Sequence, residues 1–103
     1  MSKNKKTVAV AGLGAIGMRV ARALDAGIDG LALSAVSTRD IENGRDRVSH
    51  FRKPPTVIPL ALLAKSADIV VECAPAAVFD DIARPAVDAG CIFIPCSCGQ
   101  LIE

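Results

Sequence analysis

Three glycines with the spacing G-x-G-x-x-G, Gly12, Gly14 and Gly17, are the residues of this chain best suited to hold a phosphate group. The first permits a tight turn, the second lets the backbone approach a phosphate, and the third lets a helix pack closely on a strand. A helix that opens at Ala15 and Ile16 would add free backbone N–H groups and its positive dipole end. The spacing predicts a pyrophosphate site for a dinucleotide, although ordinary loops also carry it.

Thr38 and Arg39 follow the second predicted strand, where an NAD-binding protein usually places Asp or Glu to bind the ribose 2′-hydroxyl. A carboxylate would repel a 2′-phosphate, whereas the Arg39 guanidinium can bind one through paired hydrogen bonds and Thr38 can donate another. The pair therefore admits NADP as well as NAD. The alternative is that Arg39 is a surface residue opening the next helix, with Asp40 as the nearby acid.

Cys73, Cys96 and Cys98 follow two predicted strands whose carboxyl ends should be neighbours. Three thiolates could bind zinc, but a structural zinc site needs four ligands, and the single histidine, His50, is far away in the sequence. His50 itself lies in a polar segment and is interpreted as solvated. A redox role requires a thiol of lowered pKa, which sequence does not reveal. We therefore interpret the cysteines as small, buried apolar residues.

Glu72 stands in the otherwise apolar segment before Cys73. A buried carboxylate requires hydrogen-bond donors or a raised pKa. Glu72 is therefore either an acceptor for nearby backbone amides or a residue of the functional site.

The glycine motif can hold a phosphate only where a β-strand precedes the glycines and a helix follows them. Residues 7–11 carry no charge and read as a buried strand, and residues 15–26 place Ile16, Val20 and Leu24 on one helical face. Residues 31–37 read as a second, buried parallel strand. Strand, helix and strand within about 30 residues form a βαβ unit, which is the context that a dinucleotide site requires.

The remaining segments extend this unit. A charged helix over 40–51, interrupted near Gly44, is followed by a short strand at 56–58, a helical turn at 60–65 and a buried strand at 67–73. A helix over 76–89 carries apolar residues at helical spacing on one face and is kinked at Pro85; these residues are Val78/Phe79, Ile82/Ala83 and Ala86/Val87. It leads to a fifth strand at 91–95. The alternation predicts an α/β fold, a Rossmann-type doubly wound parallel sheet of five strands in the order 3-2-1-4-5.

The length and net charge of the chain limit its domain number and its possible partners. The 103 residues suit one domain, and a net charge of +1 without a basic face gives no indication of a nucleic-acid partner. Neither an apolar run of about 18 residues nor an apolar leader is found, so we expect no membrane association and a cytoplasmic location. Four cysteines in or beside apolar segments suit a reducing compartment.

Hydrophobic residues make up 51% of the chain, which is high for a small domain that must cover its own surface. We therefore expect another segment or another chain to cover part of this apolar surface. The chain stops at Glu103, directly after a strand and its loop, so we expect residues 1–103 to be the dinucleotide-binding domain of a longer enzyme with a C-terminal catalytic or substrate domain. We also expect a homo-oligomer, because an exposed fifth strand favours self-association or pairing with further sequence.

The segments VAVAGLGAIG, ADIVVECAPAAVFD and AVDAGCIFIPCSCGQL together resemble the N-terminal half of the L-aspartate dehydrogenase family and, more distantly, the nucleotide-binding domain of homoserine dehydrogenases. The resemblance implies oxidation of L-aspartate by NAD or NADP, giving iminoaspartate, or oxaloacetate and ammonia. It places the pyrophosphate at the three glycines. It also places Cys73, Ala74 and Pro75 beside the nicotinamide, with Ser97 and Gly99 in the loop after strand five.

The family's catalytic histidine and substrate-binding residues belong to its second half, and His50 does not match them. Gln100 also departs from the pattern, because the family usually has a small residue there. The resemblance therefore implies that this chain alone binds a cofactor but does not turn over aspartate. Two alternatives remain open: a non-catalytic nucleotide-binding module, and the domain of a homoserine- or semialdehyde-type dehydrogenase.

Overall fold

A computed structural model describes residues 5–74 and 79–96 of the chain. Its strands are β1 (Lys6–Ala11), β2 (Leu31–Ser37), β3 (Thr56–Val57), β4 (Ile69–Glu72) and β5 (Ile92–Pro95). Its helices are α1 (Ala15–Ala26), α2 (Ile41–Val48) and α3 (Phe79–Asp88), with a 3-10 helix at Leu60–Lys65. All strand pairs are parallel and the order is β3-β2-β1-β4-β5, which confirms the predicted doubly wound sheet.

Helices cover both faces of the sheet, and the central strand β1 is buried on both. Val8 and Val10 of β1 pack into a core with α1 and α2. Ala9 and Ala11 face the opposite core, which contains residues of the 3-10 helix and α3. Successive residues of a strand point to opposite faces, so the continuous apolar sequence of β1 serves two cores at once.

The strand register brings four chain segments to one edge of the sheet. Ala11 is paired with Ser37 on one side and Glu72 on the other, and Glu72 is paired with Pro95. The residues that follow these strands leave the sheet together, and three of them donate backbone hydrogen bonds to the neighbouring strand: Gly12 to Ser37 O (2.7 Å), Cys73 to Ala11 O (2.8 Å) and Cys96 to Glu72 O (2.8 Å). This carboxyl edge is where open α/β sheets bind ligands.

The predicted apolar face of α1 was wrong in one respect. Leu24 is buried as expected, but Ile16 is 57% exposed, and the helix packs instead through Gly17, Met18 and Ala21. Because Gly17 lies against the glycine turn, the helix approaches the sheet through its small residues. Ile16 is thereby turned toward solvent.

The helix α2 is continuous from Ile41 to Val48, so the predicted interruption near Gly44 and extension to Phe51 were wrong. The helix is capped by Asp40, whose Oδ1 accepts a hydrogen bond from the N–H of Asn43 at 3.0 Å. Gly44 is buried within the helix. A β-carbon there would lie 2.5 Å from Cγ2 of Thr38, so this glycine permits close packing rather than a break.

The helix α3 continues through Pro85, and Ile82 and Ala86 are buried as its predicted apolar face requires. Val87, assigned to the same face, is 64% exposed. Within the part of the chain that the structure describes, no helix combines the length and apolar character needed to cross a membrane.

Candidate functional site

The turn after β1 requires glycine at its first position. Gly12 has a φ of +97°, a conformation that side chains rarely tolerate. A β-carbon on Gly12 would also lie 2.8 Å from the carbonyl oxygen of Cys73 and 2.9 Å from the backbone nitrogen of Ala74. The turn is therefore packed directly against the chain leaving β4.

Gly17 lets α1 rest on the same turn. A β-carbon at this position would overlap the carbonyl oxygen of Gly12 and lie 3.3 Å from Cβ of Cys73. The helix begins regularly, with the N–H of Met18 donating to the carbonyl oxygen of Gly14 at 2.9 Å. Turn, helix and β4 therefore form one closely packed unit.

Gly14 differs from the other two glycines because nothing crowds it. It is the N-cap of α1, and a β-carbon there would have no described atom outside its immediate chain neighbours within 4 Å. Gly14, Ala15 and Ile16 are all exposed, the cap makes no side-chain hydrogen bond, and the first turn of α1 carries no acidic residue. A helix N-terminus open in this way fits a phosphate group, which the N–H groups and the helix dipole would stabilise.

The end of β2 lies beside this turn, because the N–H of Gly12 donates to the carbonyl oxygen of Ser37. Thr38 is half-buried and packs on Gly44, whereas Arg39 is exposed. The nearest acid, Asp40, caps α2 through its side chain. The segment that would meet the adenosine ribose therefore presents a hydroxyl and a guanidinium.

Glu72 is fully buried, and its Oε2 accepts a hydrogen bond from the backbone N–H of Ala74 at 3.1 Å. This contact confirms the interpretation of Glu72 as an acceptor for backbone amides. The bond spans the turn that leaves β4. It therefore holds Cys73 and Ala74 against the glycines.

Cys73 and Cys96 meet at the ends of β4 and β5, as the strand order predicts, and their thiols are close enough to interact. Burial raises the pKa of the Cys73 thiol to about 12, and the neighbouring Cys96 thiol and Glu72 carboxylate add to the increase. Cys73 is therefore protonated at neutral pH. Among residues 5–74 and 79–96, no group of three or more His, Cys, Asp and Glu side chains could hold a metal ion.

The structure brings most of the predicted cofactor-binding residues to this single edge: Gly12, Gly14, Ala15, Ile16, Gly17, Thr38, Arg39, Cys73 and Ala74. Pro75, Ser97 and Gly99 lie outside the described residues, as do Cys98 and Gln100. His50 lies beside the C-terminal end of α1, with Asp25 and Ala26, and so is far from the glycine turn at the other end of that helix.

Sequence reasoning missed the contribution of Gly44. Its signal was present, because a glycine inside a helix costs stability unless close packing requires it. Only the fold shows that the residue packed against it is Thr38. Gly44 thereby helps to position the segment after β2.

Comparisons with known proteins agree with this geometry. A family model described as the homoserine dehydrogenase NAD-binding domain matches residues 12–103. An L-aspartate dehydrogenase from Bradyrhizobium diazoefficiens is 46% identical over 96 residues, which cover 93% of this chain and 34% of that protein. L-aspartate dehydrogenase 3 from Bordetella bronchiseptica is 47% identical over 103 residues, which cover 99% of this chain and 38% of that protein. The chain thus spans somewhat more than a third of the length of these curated relatives.

Solved structures share the fold at low sequence identity. Scyllo-inositol dehydrogenase from Lactobacillus casei, with bound NAD(H) and scyllo-inositol, has a TM-score of 0.77 and 15% identity, and the match covers 88% of this chain and 27% of that one. Biliverdin reductase from Synechocystis, in complex with biliverdin and NADP+, has a TM-score of 0.75 and 18% identity. The match covers 86% of this chain and 28% of that one. These likenesses show the fold alone.

The family match and the two bacterial relatives confirm the resemblance found in the sequence. The glycine turn, open helix N-terminus and carboxyl-edge placement are the features that such a domain needs. This chain belongs to the family of homoserine dehydrogenase NAD-binding domains, and its class of cofactor is a nicotinamide dinucleotide.

Proposed function

We propose that residues 1–103 form the dinucleotide-binding domain of an L-aspartate dehydrogenase-like oxidoreductase whose substrate-binding and catalytic groups are in a further C-terminal domain. The observation that carries this proposal is the glycine turn, packed against β4 with the helix N-terminus open above it. The 46–47% identity to L-aspartate dehydrogenases favours L-aspartate as the substrate.

The pyrophosphate binds at the start of α1. Gly14 leaves room for the phosphates because a side chain there would point into open space that the cofactor needs. The backbone N–H groups of Ala15 and Ile16 face the anion, while Gly12 and Gly17 keep the turn tight enough to aim them.

The adenosine ribose lies at the end of β2, and there the chain accepts NADP as well as NAD. Arg39 binds the 2′-phosphate through its exposed guanidinium, and Thr38 donates a hydrogen bond from its hydroxyl. Asp40 does not oppose this, because its carboxylate is turned to the N–H of Asn43. Gly44 supports the arrangement by allowing α2 to pack beneath Thr38.

The residues that would hold the nicotinamide are Cys73, Ala74 and Pro75, which follow β4 in the sequence, and Ser97 and Gly99, which follow β5. The support for this placement is the register, which brings Cys73 and Cys96 together beyond Glu72 and Pro95. A bound nicotinamide would supply the acceptor for a hydride from Cα of the substrate amine. The product of that oxidation, iminoaspartate, would give oxaloacetate and ammonia on hydrolysis.

The proposal extends to partners and location. A net charge of +1 gives no indication of a nucleic-acid partner, and we infer a cytoplasmic protein without membrane association. The edge strand β5 exposes Ile92 (56%) and Ile94 (44%), which supports a homo-oligomer or coverage by further sequence. Sedimentation of the full-length protein tests this, and a monomer at high concentration would contradict self-association.

The substrate is tested by steady-state assays of the full-length protein with NAD+ and NADP+, following absorbance of the reduced nicotinamide. We expect L-aspartate to support reduction and L-homoserine to support little or none. Reduction with L-homoserine alone would favour a homoserine-type dehydrogenase, in line with the family's description. Dinucleotide binding without turnover of either substrate would indicate a non-catalytic module and would overturn the enzyme assignment.

A further inference from the structure

Cys73 and Cys96 are placed so that a disulfide could join them. The residues before them, Glu72 and Pro95, are register partners, and the N–H of Cys96 donates to the carbonyl oxygen of Glu72 at 2.8 Å. Neighbouring strands lie about 4.8 Å apart, which is within the Cα separations of about 4.4–6.8 Å that a disulfide spans. Their thiols are close enough to interact. Little backbone movement is therefore needed to join them.

The two thiols differ in access to solvent. Cys96 is exposed and Cys73 is half-buried, so the interpretation of the cysteines as buried apolar residues was wrong for Cys96. Burial, with the adjacent Cys96 and Glu72, raises the pKa of Cys73 to about 12. Peroxides react with thiolates rather than thiols. An oxidant in solution reaches the exposed Cys96 sulfur first, and Cys73 is the sulfur that resolves the product.

We propose that Cys73 and Cys96 are an oxidation site, at which hydrogen peroxide forms a disulfide that weakens dinucleotide binding at the adjacent glycine turn. The Cys96 thiolate attacks one peroxide oxygen and hydroxide leaves, giving a sulfenic acid. The Cys73 sulfur loses its proton, attacks the Cys96 sulfur and displaces hydroxide, which takes up a proton as water. The two thiols lose two electrons, the peroxide gains them, and the products are one disulfide and two waters.

Cys73 touches the glycine turn directly, which links oxidation to binding. Its Cβ would lie 3.3 Å from a β-carbon on Gly17, and its carbonyl oxygen 2.8 Å from one on Gly12. A disulfide brings the sulfurs to about 2.05 Å, closer than two unbonded sulfur atoms can lie, and so moves Cys73 within a tightly packed unit. This effect on binding rests on the proposed function, whereas formation of the disulfide does not.

The test uses the full chain and the variants Cys73→Ser, Cys96→Ser and Cys91→Ser. Cys91 is the matched control, because its thiol donates instead to the carbonyl oxygens of Ala64 (3.1 Å) and Ala67 (3.3 Å). Each protein is treated with a small excess of hydrogen peroxide, alkylated, cleaved at acidic residues and analysed by mass spectrometry. Such cleavage separates Cys73 from Cys96, since Asp80, Asp81 and Asp88 lie between them.

We expect the parent and Cys91→Ser to yield a linked peptide pair that dithiol reductants release, and Cys73→Ser and Cys96→Ser to yield none. A linked pair that persists in Cys96→Ser would overturn the proposal, because Cys98 or Cys91 would then be the partner. Absence of the pair in the parent would overturn it as well.

Binding is measured separately, by fluorescence titration with NADPH before and after oxidation. We expect the affinity of the parent to fall about tenfold, the loss expected for one hydrogen bond to a phosphate, and to return on reduction. Unchanged affinity with a fully formed disulfide would overturn the link to binding. A chain that binds no NADPH before oxidation would contradict the proposed function, while mass spectrometry still decides whether the disulfide forms.

Discussion

The carbonyl oxygen of Gly12 occupies the place that a β-carbon on Gly17 would take. The turn after β1 and the first turn of α1 are therefore in direct backbone contact. The contact sets how closely the helix approaches the sheet. It also directs the N-terminus of α1 over the carboxyl edge, where the ends of β2 and β4 meet the turn.

Substituting Gly17 and Gly14 should separate packing from binding. Gly17→Ala forces the helix off the turn, so we expect the free energy of unfolding to fall by about 1–3 kcal/mol and dinucleotide binding to weaken with it. Gly14→Ala meets no described atom and has a permitted backbone conformation, with φ of −71°. We expect its stability to change by less than about 1 kcal/mol while affinity falls about tenfold or more.

Urea unfolding and nucleotide titration of both glycine variants check this prediction. Normal affinity in Gly14→Ala would mean that the phosphates do not approach the backbone there. Normal stability in Gly17→Ala would contradict the close contact with Gly12.

Arg39→Ala should distinguish NADP from NAD. Loss of a charged, bidentate hydrogen-bonding partner is worth about 1.5–3 kcal/mol, so NADP affinity should fall about 10- to 100-fold while NAD affinity is unchanged. The matched control is Arg84→Ala, an exposed arginine on α3 at the opposite face of the sheet. Calorimetric titration with each nucleotide measures the effect, and equal losses for NADP and NAD would remove Arg39 from 2′-phosphate recognition.

Glu72 should act through its oxygen rather than its charge. Glu72→Ala leaves the buried N–H of Ala74 without this acceptor, and we expect a loss of about 1–3 kcal/mol in the free energy of unfolding. Glu72→Gln retains an oxygen that can accept, so it should recover much of the loss. Chemical denaturation of the three proteins tests this. A Gln variant as unstable as the Ala variant would show that the carboxylate charge is needed.

Asp68 should make stability depend on pH. Hydrogen bonds from the backbone N–H and hydroxyl of Thr7 lower the pKa of this carboxylate. Because the folded-state pKa is lowered, its stabilising contribution is complete above the ordinary aspartate value of 3.8 and is lost as the pH falls through the lowered pKa.

The difference in the free energy of unfolding between the parent and Asp68→Asn should therefore shrink as the pH falls below 3.8. Urea unfolding over a series of acidic buffers measures it. Asp88→Asn, at the exposed end of α3, is the comparison variant. A difference that stays constant across the series would show that the contacts with Thr7 do not depend on the charge of Asp68.

Much of this architecture could be predicted because local signals agree with one another. The βαβ unit could be predicted from the glycine spacing, the apolar residues of β1 and the succession of strand, helix and strand within about 30 residues. The strand order then predicted that Cys73 and Cys96 would meet. Strand ends differed from expectation by one or two residues, as for β4, which is Ile69–Glu72 rather than 67–73.

The wrong predictions for Ile16 and Gly44 share one physical cause, which is the close approach of another part of the chain to a glycine in a helix. Periodicity placed Ile16 in the core, but backbone contact at Gly17 turned the helix so that smaller residues pack. Propensity marked Gly44 as a break, but the packing of Thr38 made it part of a continuous helix. Such contacts depend on the assembled fold and leave little trace in a single sequence.

The central claim is that the turn formed by Gly12, Gly14 and Gly17 holds the pyrophosphate of a nicotinamide dinucleotide. Isothermal titration calorimetry of the chain with NADP and with NAD, at two temperatures so that a vanishing enthalpy at one cannot conceal binding, tests it most directly. We expect saturable heat at one nucleotide per chain, greatly reduced in Gly14→Ala. No heat with either nucleotide at either temperature, from a chain shown to be folded, would contradict it.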